Sequence, residues 1–165
     1  MNISAEVLKL LKEEKFCSLA TCYQGQPHVS LMNFTYLPEE GVVILSSRFN
    51  TTKVNHIRNN PVVALLLFTS GGDGESPLSC TLYGTATLVE GDEGSKGDKG
   101  SKGDKDSYYR KAHHEKNRDM DQFIMGENIV MITIDIKQAA LTDVEDRVRT
   151  WSAGLPQEKE GEERG

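Results

Sequence analysis

The sequence predicts a mainly β fold, a small antiparallel barrel of six strands with three peripheral helices. Three observations carry that expectation. Residues 78–89 alternate in polarity, with Leu78, Cys80, Leu82, Ala86 and Leu88 on one face and Ser79, Thr81, Tyr83, Thr85 and Thr87 on the other. Strand-like segments follow one another through tight turns such as Gln24-Gly25-Gln26 and Pro38-Glu39-Glu40-Gly41. The third observation concerns composition. The 165 residues are 37% apolar, low for a globular domain, but the deficit is local. Segments 70–77, 90–107 and 155–165 contain a single apolar side chain, Leu155, and the remainder is about 47% apolar, ordinary for a folded domain. The same three segments carry the whole net charge of −6.

In chain order, residues 4–14 read as a helix capped by Ser4, with Val7, Leu8 and Leu11 as its apolar face. Phe16 to Tyr23 is the first strand. The second runs from about Pro27 to Leu37, and its apolar phase changes on the way. Val29 and Leu31 are odd-numbered, whereas Met32, Phe34 and Tyr36 are even, which implies a bulge or burial on both sides. Val42 to Ser47 is the third strand. Residues 51–60 form a short helix with Val54 and Ile57 buried, ended by Pro61. Val62 to Phe68 is apolar without a break, the pattern of a strand covered on both faces. Residues 78–89 are the fifth strand, 107–124 a helix with Tyr109, Ala112, Met120, Phe123 and Ile124 as contacts, and Ile129 to Lys137 the last strand. The fold is expected to span 1–151 as one domain, with a flexible insert at 90–107 and a disordered acidic tail at 152–165. The repeat Gly-Ser-Lys-Gly-Asp-Lys at 94–99 and 100–105 is read as loop; it has no proline to pre-order a collagen-like helix.

A neutral core with an acidic periphery argues against nucleic acid, which requires a basic footprint. No apolar run approaches the roughly 18–20 residues that span a bilayer. The polar N-terminus does not read as a signal peptide, and a cytoplasmic location is expected. Cys17, Cys22 and Cys80 read as buried thiols in a reducing compartment, with neither a disulfide framework nor a metal site. His113-His114-Glu115 reads as a solvated helix face, because adjacent helical residues diverge by about 100°. Trp151 reads as an anchor for the C-terminal end, with stacking on a flavin as the alternative.

Chemistry concentrates at Ser46-Ser47-Arg48-Phe49-Asn50-Thr51-Thr52-Lys53. A strand ends in two serines and an arginine, and a helix opens with two threonines and a lysine. Helix N-termini present unpaired N–H groups and a partial positive charge, so a lysine there gains from a nearby anion. Hydroxyls, guanidinium, ammonium and open N–H groups together suit a phosphate. The bland alternative is a capped helix with two solvated cations.

The order Phe16-Cys-Ser-Leu-Ala-Thr, Gln26-Pro27-His28-Val29-Ser30, Val43-Ile44-Leu45-Ser46, then Lys53-Val54-Asn55-His56-Ile57-Arg58-Asn59-Asn60-Pro61-Val62-Val63-Ala64-Leu65 resembles the pyridoxamine 5′-phosphate oxidase-like family over about residues 5–90. The resemblance implies a six-stranded antiparallel split β-barrel with peripheral helices, working as a homodimer that binds FMN at its interface. It places Lys53 at the family's phosphate-binding lysine and Thr52 where the oxidases carry arginine, with Arg48 available as the replacement cation. Ser47 and Thr51 belong to the same phosphate-binding stretch, and Leu45 and Ser46 match the strand beside the flavin. His28, Val29, Ser30, Leu31, Met32 and Asn33 match the segment that lines the isoalloxazine ring, and Ser79 matches a polar contact from the partner side. No catalytic residue is assigned. The oxidases' C-terminal substrate motif is missing, since only Arg147-Val148-Arg149-Thr150-Trp151 precedes an acidic tail, which argues against true pyridoxamine phosphate oxidase activity. The implied function is an FMN-dependent oxidoreductase of unknown substrate. The alternatives are a non-catalytic flavin- or haem-binding module and a deazaflavin-dependent reductase on the same fold.

Overall fold

The computed structural model describes residues 3–72, 74–89 and 102–153. One antiparallel sheet dominates it, curled into a split barrel. Its strands are β1 (Phe16–Tyr23), β2 (Gln26–Asn33), β3 (Thr35–Leu37), β4 (Val42–Arg48), β5 (Val62–Thr69), β6 (Leu78–Val89), β7 (Ile129–Asp143) and β8 (Val148–Ser152). The order across the sheet is β2-β1-β5-β6-β7-β4-β3, and β8 pairs with β7 off that path. Helices α1 (Ala5–Glu13), α2 (Thr52–Asn59), α3 (Lys102–Lys116) and the single turn α4 (Asp121–Ile124) lie around it.

The mainly β expectation holds, with eight strands instead of six. One additional strand comes from the phase change. The segment expected as a single strand is broken at Phe34 into β2 and β3, which restarts the alternation, with Thr35 and Leu37 buried. These two strands are the opposite ends of the sheet order, yet one residue separates them. Phe34 is fully buried, its N–H donates to Lys15 O at 3.2 Å, and the Lys116 ammonium sits 4.6 Å from the ring centroid. The other additional strand is β8, which places Trp151 opposite Ala139, half-buried against the core.

The last long strand runs to Asp143, well past Lys137. Its pairing with β6 shifts register between Tyr83 and Gly84, a bulge that bends the ladder. Gly84 permits the bend's close approach: a Cβ there would lie 2.6 Å from Asp135 O and 2.8 Å from Ile134 Cγ2. The helix expected at 107–124 is instead α3 ending at Lys116, a 3₁₀ turn at Arg118–Met120, and α4. Asn117 makes the break. It leaves helical geometry at φ −125°, ψ 58°, and its side-chain amide donates to His113 O at 2.9 Å. Part of the second repeat, from Lys102, is thus helical; residues 90–101 of the expected insert and 154–165 of the expected tail lie outside the described residues.

The core follows the strand alternation. Leu19, Val43, Leu45, Leu65, Leu67, Leu82, Ile132 and Ile134 are buried together with Val7, Leu10 and Leu11 of α1 and Val54 and Ile57 of α2. Ser4 caps α1 by accepting from Val7 N–H at 3.3 Å. The strand expected to be covered on both faces is covered on one. Val63, Leu65 and Leu67 of β5 are buried, while Val62, Leu66 and Phe68 are exposed. Cys22 is also exposed, because it lies in the outward phase of β1; Cys17 and Cys80 are buried, and burial pushes their thiols up to about 12 and about 11. No described helix is long and apolar enough to cross a membrane.

Truncating Phe34 removes the plug at the closing junction. Phe34→Ala should cost about 3–5 kcal/mol, read as a lower urea midpoint. A loss under about 1 kcal/mol would show that the junction closes without it.

Candidate functional site

A cleft of about 370 Å³ opens where the ends of β2 and β4 meet the start of α2. Leu31, Met32 and Asn33 come from β2, Ser46, Ser47 and Arg48 from the end of β4, and Thr51 and Lys53 from the start of α2; His113, Met120, Phe123 and Ile124 close it from the α3–α4 side. The end of β4 is fixed by its ladder with β7, in which Ser46, Ser47 and Arg48 pair with Met131, Val130 and Ile129. The turn into α2 is tied by short-range bonds. Thr51 Oγ1 donates to Arg48 O at 3.1 Å and lies 3.1 Å from Ser47 Oγ, so the Thr51 hydroxyl makes no side-chain cap on α2. The first turn of α2 contains no acid.

The cleft is chemically two-ended. Leu31, Met32, Met120, Phe123 and Ile124 give an apolar wall; Arg48, Lys53 and the hydroxyls of Ser46, Ser47 and Thr51 give a cationic, hydrogen-bonding end. No lining residue is acidic. Among the described residues neither the Arg48 guanidinium nor the Lys53 ammonium has a hydrogen-bond or ion-pair partner, and burial lowers the Lys53 pKa from its ordinary value. Arg110, Arg147 and Arg149, by contrast, each pair with a carboxylate. Two unmatched cations at the end of an apolar slot suit a flat ligand carrying an anionic tail.

A buried polar network backs the cleft. His113 Nδ1 lies 2.9 Å from Thr35 Oγ1, Asn117 Nδ2 donates to Thr35 Oγ1 at 3.2 Å, and Asn33 Nδ2 donates to Asn117 Oδ1 at 3.1 Å. The Thr35 hydroxyl accepts from the Asn117 amide and shares a hydrogen bond with His113 Nδ1, which the Asn117 amide nitrogen also approaches at 3.3 Å. Burial, with Lys116 nearby, lowers the His113 pKa to about 4, consistent with a neutral ring. His113 was expected on a solvated helix face. It is buried because Thr35 and Asn117 receive it, whereas His114 stays near the surface beside Asp121.

The other expected site residues lie elsewhere. Leu45 is buried in the core beneath the cleft, and Thr52 is exposed at the start of α2. Val29 is exposed, and Ser30 lies near it in β2. His28 packs edge-on against buried His56, ring centroids 6.1 Å apart, with its Nδ1 buried and unpartnered. Ser79 pairs with Phe68 and Thr142, away from the cleft. Among the described residues, no group of three or more His, Cys, Asp or Glu side chains gathers as a metal site.

The neutral His113 gives a signed pH dependence. Between pH 6.5 and about 4 the unfolded chain binds a proton that the fold excludes, so stability falls as pH drops through that window. The loss should reach at most about 3 kcal/mol. In His113→Gln this component disappears, so urea midpoints at pH 4.5 and 7.5 should differ less than in the parent. Equal differences would mean that His113 titrates normally.

Three comparisons with known proteins bear on this site. Residues 3–142 match the family model described as pyridoxamine 5′-phosphate oxidase. A pyridoxamine 5′-phosphate oxidase homolog of Schizosaccharomyces pombe is 29% identical over 171 residues, covering 90% of each chain. Among solved structures, a FAD-binding protein of Mesorhizobium loti superposes with a TM-score of 0.65 at 20% identity, covering 84% of this chain and 94% of its own. A haem-binding protein of Mycobacterium smegmatis gives 0.70 at 17% identity, covering 92% of this chain and 59% of its own. At these identities the two structures establish the shared fold.

Proposed function

The chain belongs to the pyridoxamine 5′-phosphate oxidase family, and from that premise we propose that it is an FMN-dependent oxidoreductase acting as a homodimer. The observation that carries this reading is the pair of unmatched cations, Arg48 and Lys53, at one end of an apolar cleft. The donor set fits the group. Arg48, Lys53 and the Ser46 hydroxyl hold the phosphate, the Ser47 and Thr51 hydroxyls being engaged by Arg48 O; Leu31 to Asn33 border the ring, and Met120, Phe123 and Ile124 exclude water from it. Arg48 takes the place that the family gives to arginine at Thr52, which is exposed beside the cleft. Bound flavin supplies reversible two-electron transfer, and the protein supplies binding and orientation.

The substrate is not expected to be pyridoxamine phosphate. Arg149 pairs with Glu6 at 2.8 Å and Arg147 with Asp143 at 2.8 Å, and neither lines the cleft. The dimer reading rests on the bare outer face of β2-β1-β5. Ser18 pairs with both Leu31 and Leu66, so these three form one row; Leu31 is 72% exposed, Val29 65% and Phe68 61%. Contiguous exposed apolar patches of this kind mark association surfaces. Leu31 belongs to both this face and the cleft, so a second copy on the face borders the cofactor.

FMN titration followed by fluorescence quenching tests the cofactor. Lys53→Ala and Arg48→Ala should each weaken binding by about 1–3 kcal/mol. Unchanged affinity in both would reject the phosphate assignment, and a haem Soret band without flavin bands would replace FMN by haem. Sedimentation tests the assembly. Leu66→Asp and Phe68→Asp should each give a folded monomer, and a dimer that survives both changes would place the interface elsewhere.

A further inference from the structure

A second cleft, of about 480 Å³, adjoins the first and shares Arg48 with it. Its walls are the β4–α2 turn, which gives Phe49 and Asn50, and the α4–β7 segment, which gives Gln122, Gly126, Glu127, Asn128 and Ile129. The two walls are tied at their base. Arg48 pairs with Ile129 across the β4–β7 ladder, and Phe49 N–H donates to Asn128 O at 3.1 Å. The cleft is therefore a fixed feature where the barrel strands end.

Its chemistry differs from that of the first cleft. Phe49 presents a half-exposed aromatic ring to the second cleft. Asn50, Gln122 and Asn128 bring amides with paired donors and acceptors, and Glu127 brings a carboxylate that accepts from hydroxyls. An aromatic surface, amides and a carboxylate are what a nucleoside requires: stacking for the base, amides for its edges and an acceptor for the ribose diol. The volume lies within the roughly 300–1,000 Å³ of small-molecule sites. A cationic guanidinium stands at the boundary, where a diphosphate joining two such halves passes.

We propose that the second cleft is a nucleoside subsite that takes the adenosine half of a flavin dinucleotide, with its diphosphate crossing at Arg48. This rests on the flavin reading of the first cleft and extends it from FMN to FAD. The measurement is parallel titration of the full chain with FMN and with FAD. FAD should bind about tenfold or more tighter than FMN, the scale of one stacked base. Phe49→Ala should remove that advantage and leave FMN affinity within about twofold of the parent. Glu127→Gln, a near-isosteric change at an exposed residue, should weaken FAD by a few-fold and leave FMN unchanged. Equal affinities for the two flavins, or variants that shift both alike, would overturn the nucleoside subsite while the flavin reading stands. Failure of both flavins to bind would overturn both.

Discussion

The fold depends on one junction. Phe34 joins β2 to β3, the two ends of the strand order, so the sheet curls until its edges meet. A single residue cannot carry the chain across an open sheet, because it spans only about 3.3–3.6 Å. The ring of Phe34 fills the inside of that corner, its N–H is satisfied by Lys15 O, and Lys116 covers the ring while donating to Glu14 O at 3.1 Å. The residues on either side, Asn33 and Thr35, start the polar network that reaches Asn117 and His113. The contact that closes the barrel therefore also fixes the back wall of the cleft. Moving α3 away would release the closure and the site together.

A second constraint is electrostatic. Among the described residues the Arg48 and Lys53 side chains meet no counter-charge, whereas Arg110, Arg147 and Arg149 are paired. A lysine in the first turn of α2 opposes the helix dipole, and half-burying it adds a desolvation cost. Stability alone gives no reason for this arrangement. An anionic ligand of the kind proposed would offset these costs.

Elements whose evidence lies in their own period were legible in the sequence. The alternation of β6, the cap of α1 at Ser4 and the stop at Pro61 are local signals, and the structure reproduces them. The phase change after Leu31 marked an irregularity without locating it, because a bulge and a break leave the same change of parity. β8 was missed because Val148–Ser152 is short and its two apolar side chains, Val148 and Trp151, are out of phase for one strand face, and its pairing partner is supplied only when β7 runs past Lys137. The uninterrupted apolar run of β5 pointed to cover on both faces, but no part of the described chain covers the outer one, because periodicity gives the polarity of a face and not what packs on it. At the cleft, Ser46 to Lys53 was readable from hydroxyls and cations packed into eight residues. His113 was not. Its helix is mostly polar, and its burial is decided by Thr35, 78 residues earlier in the chain.

Leu31 links the remaining features. Its side chain lines the cleft and is also among the more exposed apolar groups of the outer face. A ligand in the cleft and a second copy on that face thus bear on the same residue and the same strand. Linkage makes such coupling reciprocal: if association orders β2, it favours the ligand, and the ligand favours association by the same free energy. β2 is the strand for this role. It pairs with β1 along its whole length, but its other edge is free of the ladder and is held mainly through Asn33 and Phe34 at its end. Among the described residues no strand pairs with the outer edge of β2, and both the cleft and the bare face are built beside it.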